Sequence, residues 1–282
     1  MEIIKKIAKM REKIRLEKSR ENSIGFVPTM GYLHAGHLSL VQSAEDNDDC
    51  TVVSIFVNPT QFGPDEDYES YPRDLKLDSQ KLAEKGVDYL FVPEVEDFYP
   101  RGYNTFVEVK KLTENLCGSA RPGHFRGVTT VLTKFFNIIQ PNRAYFGKKD
   151  FQQLVVVKRL VEDLNYLIEI VGVDIVREND GLAKSSRNKL LNPKTRAEAV
   201  VLNQSLKEAE KLIREEGIKD ADYLKQLISD KINSKQSLEV DYAALVDPDT
   251  LEDIEEIRDK VLIALAVFTE KTRLIDNRLI EL

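Results

Sequence analysis

The chain has 282 residues, 42% of them apolar, and a formal charge of −7, enough for a folded core and by length two domains of roughly 150 residues each. Its acidic balance excludes nucleic-acid binding through a broad basic surface but leaves room for a local basic pocket suited to a small anion. Cys50 and Cys117 stand far apart, which excludes a disulfide framework, and no run approaches the roughly 18 apolar residues of a membrane span, so a soluble cytoplasmic protein is expected.

Residues 3–20 place Ile3, Ile4, Ile7, Met10 and Ile14 at helical spacing and predict an amphipathic opening helix. The segment is charged throughout and lacks the apolar centre of a secretory signal. Ile24, Phe26 and Val27 then read as a short strand, followed by a Pro-Thr-Met-Gly turn and a helix with His34 and His37 near its start. Three apart on a helix, the two imidazoles face one side. The unpaired N–H groups and positive dipole end of a first turn favour an anion such as phosphate. Gly31 and Gly36 let the backbone, or a flat ring, approach closely. Taken singly, two such histidines are ordinary surface or core residues, and HxxH can open a zinc site. No cysteine or acidic partner stands at a metal-ligand spacing, however, and the strand–glycine turn–His-x-Gly-His context favours phosphate.

The apolar run Thr51–Val57 predicts a parallel strand buried on both faces. It ends in the loop Asn58-Pro59-Thr60-Gln61-Phe62-Gly63, at a carboxyl end where open α/β sheets bind ligands. The amides of Asn58 and Gln61 can donate to a carboxylate and accept from a hydroxyl or amine; alternatively they only satisfy their own turn. Asp65–Arg73 reads as a polar loop with Tyr68 and Tyr71. A helix is predicted over Leu75–Glu84 with Gly86 as its cap, then a strand over Val87–Val92. Residues 93–124 read as an irregular excursion with one short strand, Thr105–Val109. The excursion ends in Arg121-Pro122-Gly123-His124-Phe125, so all three histidines lie in candidate segments.

A helix over Val128–Ile139, a strand over Arg143–Phe146, a helix over Phe151–Leu164 and a strand over Leu167–Val173 complete the series. Strands and helices in alternation predict an α/β, Rossmann-like parallel sheet covered on both faces. Gly147-Lys148-Lys149-Asp150 joins strand to helix. Gly147 gives backbone access, Lys149 a point charge for phosphate oxygens, and Asp150 a partner for a ribose or a lysine. Gln153, one turn on, faces the same crevice; a capped helix start with solvated lysines is the plainer alternative. After Val176 the pattern changes to a smaller α+β unit, giving domains 1–176 and 177–282. There Arg177–Pro193 is polar and irregular, helices are predicted over 194–215 and 222–231, and strands over 238–246 and 261–273. Lys184-Ser185-Ser186-Arg187-Asn188 sets small hydroxyls between two cations, a mobile anion clamp.

The HAGH tetrapeptide resembles the HIGH signature of the nucleotidyltransferase superfamily, and residues 184–188 resemble its KMSKS loop. Together VPTMGYLHAGHLSLV, FVNPTQFGPDEDYESYPR, RPGHFRGV, YFGKKDFQQL and DGLAKSSRN resemble the pantothenate synthetase (pantoate–β-alanine ligase) family in order and spacing. The resemblance implies an ATP-dependent ligase that forms pantoyl adenylate and pyrophosphate, then pantothenate and AMP. By matching positions, Met30, Gly31, Tyr32, Leu33, His34, Ala35, Gly36 and His37 would hold ATP, with His37 as proton donor to the leaving pyrophosphate. Gly147, Lys148, Lys149, Asp150 and Val176 would contact the nucleotide, and Lys184, Ser185, Ser186 and Arg187 would close over its phosphates. His34, His37, Lys149 and Arg187 form the implied catalytic set. Gln61, Gln153 and Asn58 would hold pantoate and β-alanine, with Arg121 and Tyr71 in support. Magnesium on the phosphates is implied, with Asp78 as a protein contact, as is a homodimer acting on small molecules, without nucleic acid or membrane. The clamp opens on Lys184 where many members carry Met, which adds a charge. Another nucleotidyltransferase of the superfamily and a silent nucleotide-binding module are the rival readings.

Overall fold

The computed structural model describes residues 1–64, 66 and 68–282; Asp65 and Asp67, within the loop read over 65–73, lie outside the described residues. The chain forms two compact units, Met1–Asp174 and Ile175–Leu282.

The first unit holds six strands: β1 Glu2–Ile4, β2 Ile24–Thr29, β3 Cys50–Ile55, β4 Tyr89–Phe91, β5 Arg143–Gly147 and β6 Glu169–Val173. They lie in the order β1-β4-β3-β2-β5-β6, and every pairing is parallel. Near-continuous apolar strands are what a sheet covered on both faces requires. Alternate residues serve opposite faces. Val27, Val53 and Leu90 join Leu33, Val41 and Leu82 in one core cluster. Phe26 and Phe91 instead meet Phe98 and Phe135, with the Phe98 and Phe135 ring centroids 4.8 Å apart.

The chain runs from β2 outward through β3 and β4, then crosses back to β5 on the other side of β2. That reversal makes β2/β5 the topological switch point, where open α/β sheets form a crevice at their carboxyl ends. Pairing between β2 and β5 covers only Gly25 and Phe26. Beyond it Pro28, still within β2, has no N–H to extend the ladder. The two strands therefore part at the end where the histidine and lysine turns follow.

Three local expectations need correction in this unit. The opening helix is Ile7–Ser19, because Ile3 and Ile4 belong to β1, where Ile4 pairs with Phe91. The first strand does not stop at Val27 but continues through Pro28 to Thr29. Residues 105–109 are extended but form no strand. The Val107 N–H donates to Thr130 Oγ1 at 3.0 Å and its carbonyl accepts from Thr129 Oγ1 at 2.6 Å, so side chains of the helix His124–Ile139 replace a strand partner.

The second unit pairs β7 Glu239–Val246, β8 Lys260–Phe268 and β9 Arg273–Glu281 into an antiparallel sheet. Leu202, Leu206 and Ile213 of one helix and Leu224 and Ile228 of the next share a core with Val261, Ile263 and Leu265. The strand read over 261–273 is in fact a hairpin. Its turn carries no glycine or proline; Thr269 Oγ1 accepts the Lys271 and Thr272 N–H groups instead, a side-chain turn with a weak sequence signal. The helix read over 194–215 is two, Pro193–Glu198 and Val201–Glu215.

Candidate active site

Beyond β2 the chain turns through two left-handed residues, Gly31 (φ +86°) and Tyr32 (φ +55°). The Tyr conformation is unfavourable for an L-residue and needs outside support. Asp78 supplies it: its carboxylate accepts the N–H of Tyr32 at 2.6 Å and of Leu33 at 2.8 Å. Asp78 is 1% exposed, and both oxygens serve the turn. The magnesium-contact reading of Asp78 therefore gives way to a positioning role. Among the described residues no group of three or more His, Cys, Asp or Glu could hold a metal.

His34 does not lie within the helix, as the three-residue spacing suggests; it is the N-cap of Ala35–Asn47, with an extended backbone. Its Nδ1 accepts the Gly36 N–H at 3.1 Å, and the His34 N–H donates to His37 Nδ1 at 3.3 Å. The first-turn amides are thus partly used: His37 N–H also donates to the His34 carbonyl, while Ala35 N–H has no partner among the described residues. The rings stack with centroids 4.0 Å apart and planes 27° apart. Because each Nδ1 faces a backbone donor it must offer a lone pair, so in the neutral ring the proton sits on Nε2. The cap fixes both tautomers, with the proton of each ring on Nε2.

Burial, followed by the charges of His34, Lys149 and Lys81, pushes the His37 pKa down to about 3. His37 is therefore neutral at pH 7 without an anion beside it, a hydrogen-bond donor rather than an imidazolium acid. Lys149, at the carboxyl end of β5, is close enough for its charge to act on this ring. The histidine and lysine turns therefore meet at one place.

Asn58 and Gln61 stand together at the end of β3, but their roles differ. Asn58 is 1% exposed. Its Oδ1 accepts from Thr60 Oγ1 and Tyr99 Oη at 3.0 and 2.8 Å, and its Nδ2 donates to Gln61 Oε1 and the Gly127 carbonyl, each at 3.1 Å. Every polar atom is engaged, so direct substrate contact for Asn58 is replaced by a hold on Gln61. The Gln61 Nε2 reaches Met30 Sδ at 3.1 Å, a weak acceptor that a ligand oxygen would readily displace. Tyr99 and Gly127 complete this corner and were not singled out from the sequence.

In the turn after β5, a side chain at Gly147 would meet nothing nearer than the Lys149 nitrogen at 4.0 Å, so the backbone is open to a ligand. Lys148 pairs with Asp174 at 2.6 Å, and Asp150 is exposed and makes no side-chain cap. Gln153 is half-buried, and its side chain makes no hydrogen bond among the described residues. Its neighbour Gln152 is buried and structural: it accepts the Cys117 N–H and donates to the Leu112 and Asn115 carbonyls.

Arg121 is turned toward protein rather than free for a substrate. It makes a two-pronged ion pair with Glu66 at 2.7 and 2.5 Å, and its Nη1 lies 3.3 Å from His124 Nε2. His124 Nδ1 is 2.9 Å from the Gln61 carbonyl. A carbonyl only accepts, so Nδ1 carries the proton and Nε2 accepts from Arg121. Burial and the Arg121 charge push the His124 pKa down to about 4. Tyr71, half-buried, sets its ring edge-on to Phe62 at 6.0 Å.

In the second unit Val176 and Lys184 are joined by a backbone bond of 2.9 Å, and Arg177 pairs with Asp276 at 2.7 Å. Ser185 caps the single turn Ser186–Leu190. Lys184 pairs with Glu178 at 2.5 Å, so the charge it adds is compensated. Arg187 is exposed and has no ion pair among the described residues.

The depressed histidines give a pH dependence of stability. Unfolded, both rings return to about 6.5 and bind protons that the fold excludes, so stability is lost as pH falls below about 6.5. Thermal melts from pH 7 to 5 are expected to show a falling midpoint, with about two protons taken up per unfolding event from these rings. A variant carrying His37→Asn and His124→Asn should lose most of that slope. An unchanged slope would contradict the neutral-ring assignment.

At the carboxyl ends of β2 and β5 the fold thus brings together two oriented imidazoles and a lysine whose charge acts on one of them, a basic arrangement of the class that suits an anion. Comparison with known proteins narrows the class. The family model "Pantoate-beta-alanine ligase" matches residues 2–279, and the chain belongs to that family. The pantothenate synthetase of Acetivibrio thermocellus is 53% identical over 281 residues, covering 100% of both chains. That of Thermosipho melanesiensis is 56% identical over 277 residues, covering 98% of both. The crystal structure of the Thermus thermophilus pantothenate synthetase superposes with a TM-score of 0.92 at 44% identity, over 99% of each chain. A Francisella tularensis pantoate–β-alanine ligase, solved with β,γ-ATP and β-alanine, has a TM-score of 0.80 at 36% identity, over 99% of this chain and 97% of that one.

Proposed function

We propose that the chain makes pantothenate in two steps on ATP. The pantoate carboxylate attacks the α-phosphorus in line and pyrophosphate leaves; the amine of β-alanine then attacks the acyl adenylate and AMP leaves. The observation that carries this reading is the pair of Nε2–H donors fixed by the His34 cap, beside Lys149, at the switch point. Adenylate transfer needs positioning and charge neutralisation more than a protein nucleophile.

In this reading Met30, Gly31, Tyr32, Leu33, Ala35 and Gly36 form the wall against which ATP lies, and His34 and His37 donate to its phosphate oxygens. Donors set before charge develops on the leaving group are worth more in the transition state than in the ground state. Lys149 supplies the charge. Gly147, Lys148 and Asp150 take the nucleoside side. Gln61 and Gln153 hold pantoate through their amides, Asn58 fixes Gln61, and Arg121 and Tyr71 support the surrounding loop. In the second unit Val176, Lys184, Ser185, Ser186 and Arg187 are the residues that the family resemblance gives to the nucleotide. Magnesium travels with ATP as its counter-ion, since Asp78 is committed to the turn. The family reading further has a homodimer in the cytoplasm, with neither nucleic acid nor membrane as partner; among the described residues no helix is long and apolar enough to cross a membrane.

The test is exchange of labelled pyrophosphate into ATP, with pantoate and magnesium present and β-alanine absent. Exchange that depends on pantoate is expected. ATP binding without exchange would sink the adenylate step.

A further inference from the structure

We infer that Lys81 is a phosphate-binding residue of this site, a contact for the pyrophosphate end of ATP held in place through Leu33. This rests on the two-step reading above. Lys81 lies one turn after Asp78 on the helix Leu75–Glu84, so the two side chains share a face. Asp78 takes the Leu33 N–H, and Lys81 Nζ donates to the Leu33 carbonyl at 2.6 Å. The helix thus grips both ends of the residue that precedes His34.

That grip uses one of the three ammonium donors. Among the described residues Lys81 makes no other hydrogen bond and no ion pair, although the side chain is half-buried. Of the two acids three residues away on its own helix, Asp78 turns both oxygens to backbone N–H groups, and neither it nor Glu84 makes an ion pair with Lys81 among the described residues. A half-buried ammonium without a carboxylate is costly unless an anion completes it. The charges that act on His37 come from His34, Lys149 and Lys81, all basic. Two lysine charges that act on the same ring, beside two oriented N–H donors, suit a polyphosphate end rather than a monoanion. Lysine meets such an end as a movable point charge. Because the Leu33 carbonyl anchors Nζ, the charge is pre-positioned and loses little freedom when the ligand arrives.

The test compares pyrophosphate with AMP by calorimetry on the full chain. K81M keeps the aliphatic stem and drops the charge. Its dissociation constant for pyrophosphate is expected to rise about tenfold or more, as loss of one charge-assisted hydrogen bond implies. Binding of AMP, which lacks the pyrophosphate end, should stay within about twofold and reports a folded site. K81R, which retains the charge, should recover most of the loss; K81Q serves if the Met variant does not fold. Unchanged pyrophosphate binding, an equal loss of AMP and pyrophosphate, or no recovery in K81R would each overturn the inference. Wild-type chain that binds both ligands but fails to exchange pyrophosphate would fault the two-step reading and leave the Lys81 comparison decidable.

Discussion

Gly127→Ala is expected to destabilise the first unit by about 2 kcal/mol or more and to lower kcat/KM by about two orders of magnitude. A methyl at Gly127 would lie 2.3 Å from the Thr60 carbonyl oxygen, 2.5 Å from its carbon and 2.6 Å from Gln61 Cα. All three are backbone atoms, so no side chain can swing away. Alanine in a helix gains roughly 1 kcal/mol over glycine, and this clash is larger. The helix His124–Ile139 must then separate from the turn Pro59–Gln61. Separation also breaks the bond between Asn58 Nδ2 and the Gly127 carbonyl that orients Gln61. Denaturant unfolding with steady-state kinetics checks both halves; wild-type values for both would refute the account of this corner.

His37→Ala is expected to lower kcat by about 10²–10³-fold, the usual effect of removing one pre-positioned donor to developing charge. KM for pantoate should change little, because Gln61 and Gln153, the residues proposed to hold it, remain. Two losses combine in this variant: the Nε2–H donor disappears, and the His34 N–H loses its Nδ1 acceptor, so the cap loosens. Turnover within about threefold of wild type would mean that the paired imidazoles do not serve the phosphates.

The sheet and its crevice were legible because their signals are local. Apolar runs at Ile24–Val27 and Thr51–Val57, glycines at turns and His-x-Gly-His at a helix start all act within a few residues. At Asp78, Asn58, Arg121 and β1 a deciding partner was distant in sequence. Asp78 looks like any helical acid until the fold brings it to the Tyr32 and Leu33 amides. Asn58 has the right chemistry for a substrate, but Tyr99, Thr60, Gln61 and Gly127 consume all of it. Arg121 is likewise held by Glu66. The strand β1 is three residues long and exists because Phe91 and its neighbours offer an edge, not because Glu2–Ile4 carries a strand pattern. Residue type announces what a side chain can do, and the fold decides to whom.

In the proposed reaction the pantoate carboxylate attacks the α-phosphorus of ATP at the site built by His34, His37 and Lys149. Pantoate labelled with ¹⁸O in its carboxylate, turned over with ATP and β-alanine and followed by mass spectrometry, tests it most directly. The expected result is AMP carrying one ¹⁸O, with the partner oxygen retained in the amide of pantothenate. Unlabelled AMP, or ADP with label in inorganic phosphate, would contradict it.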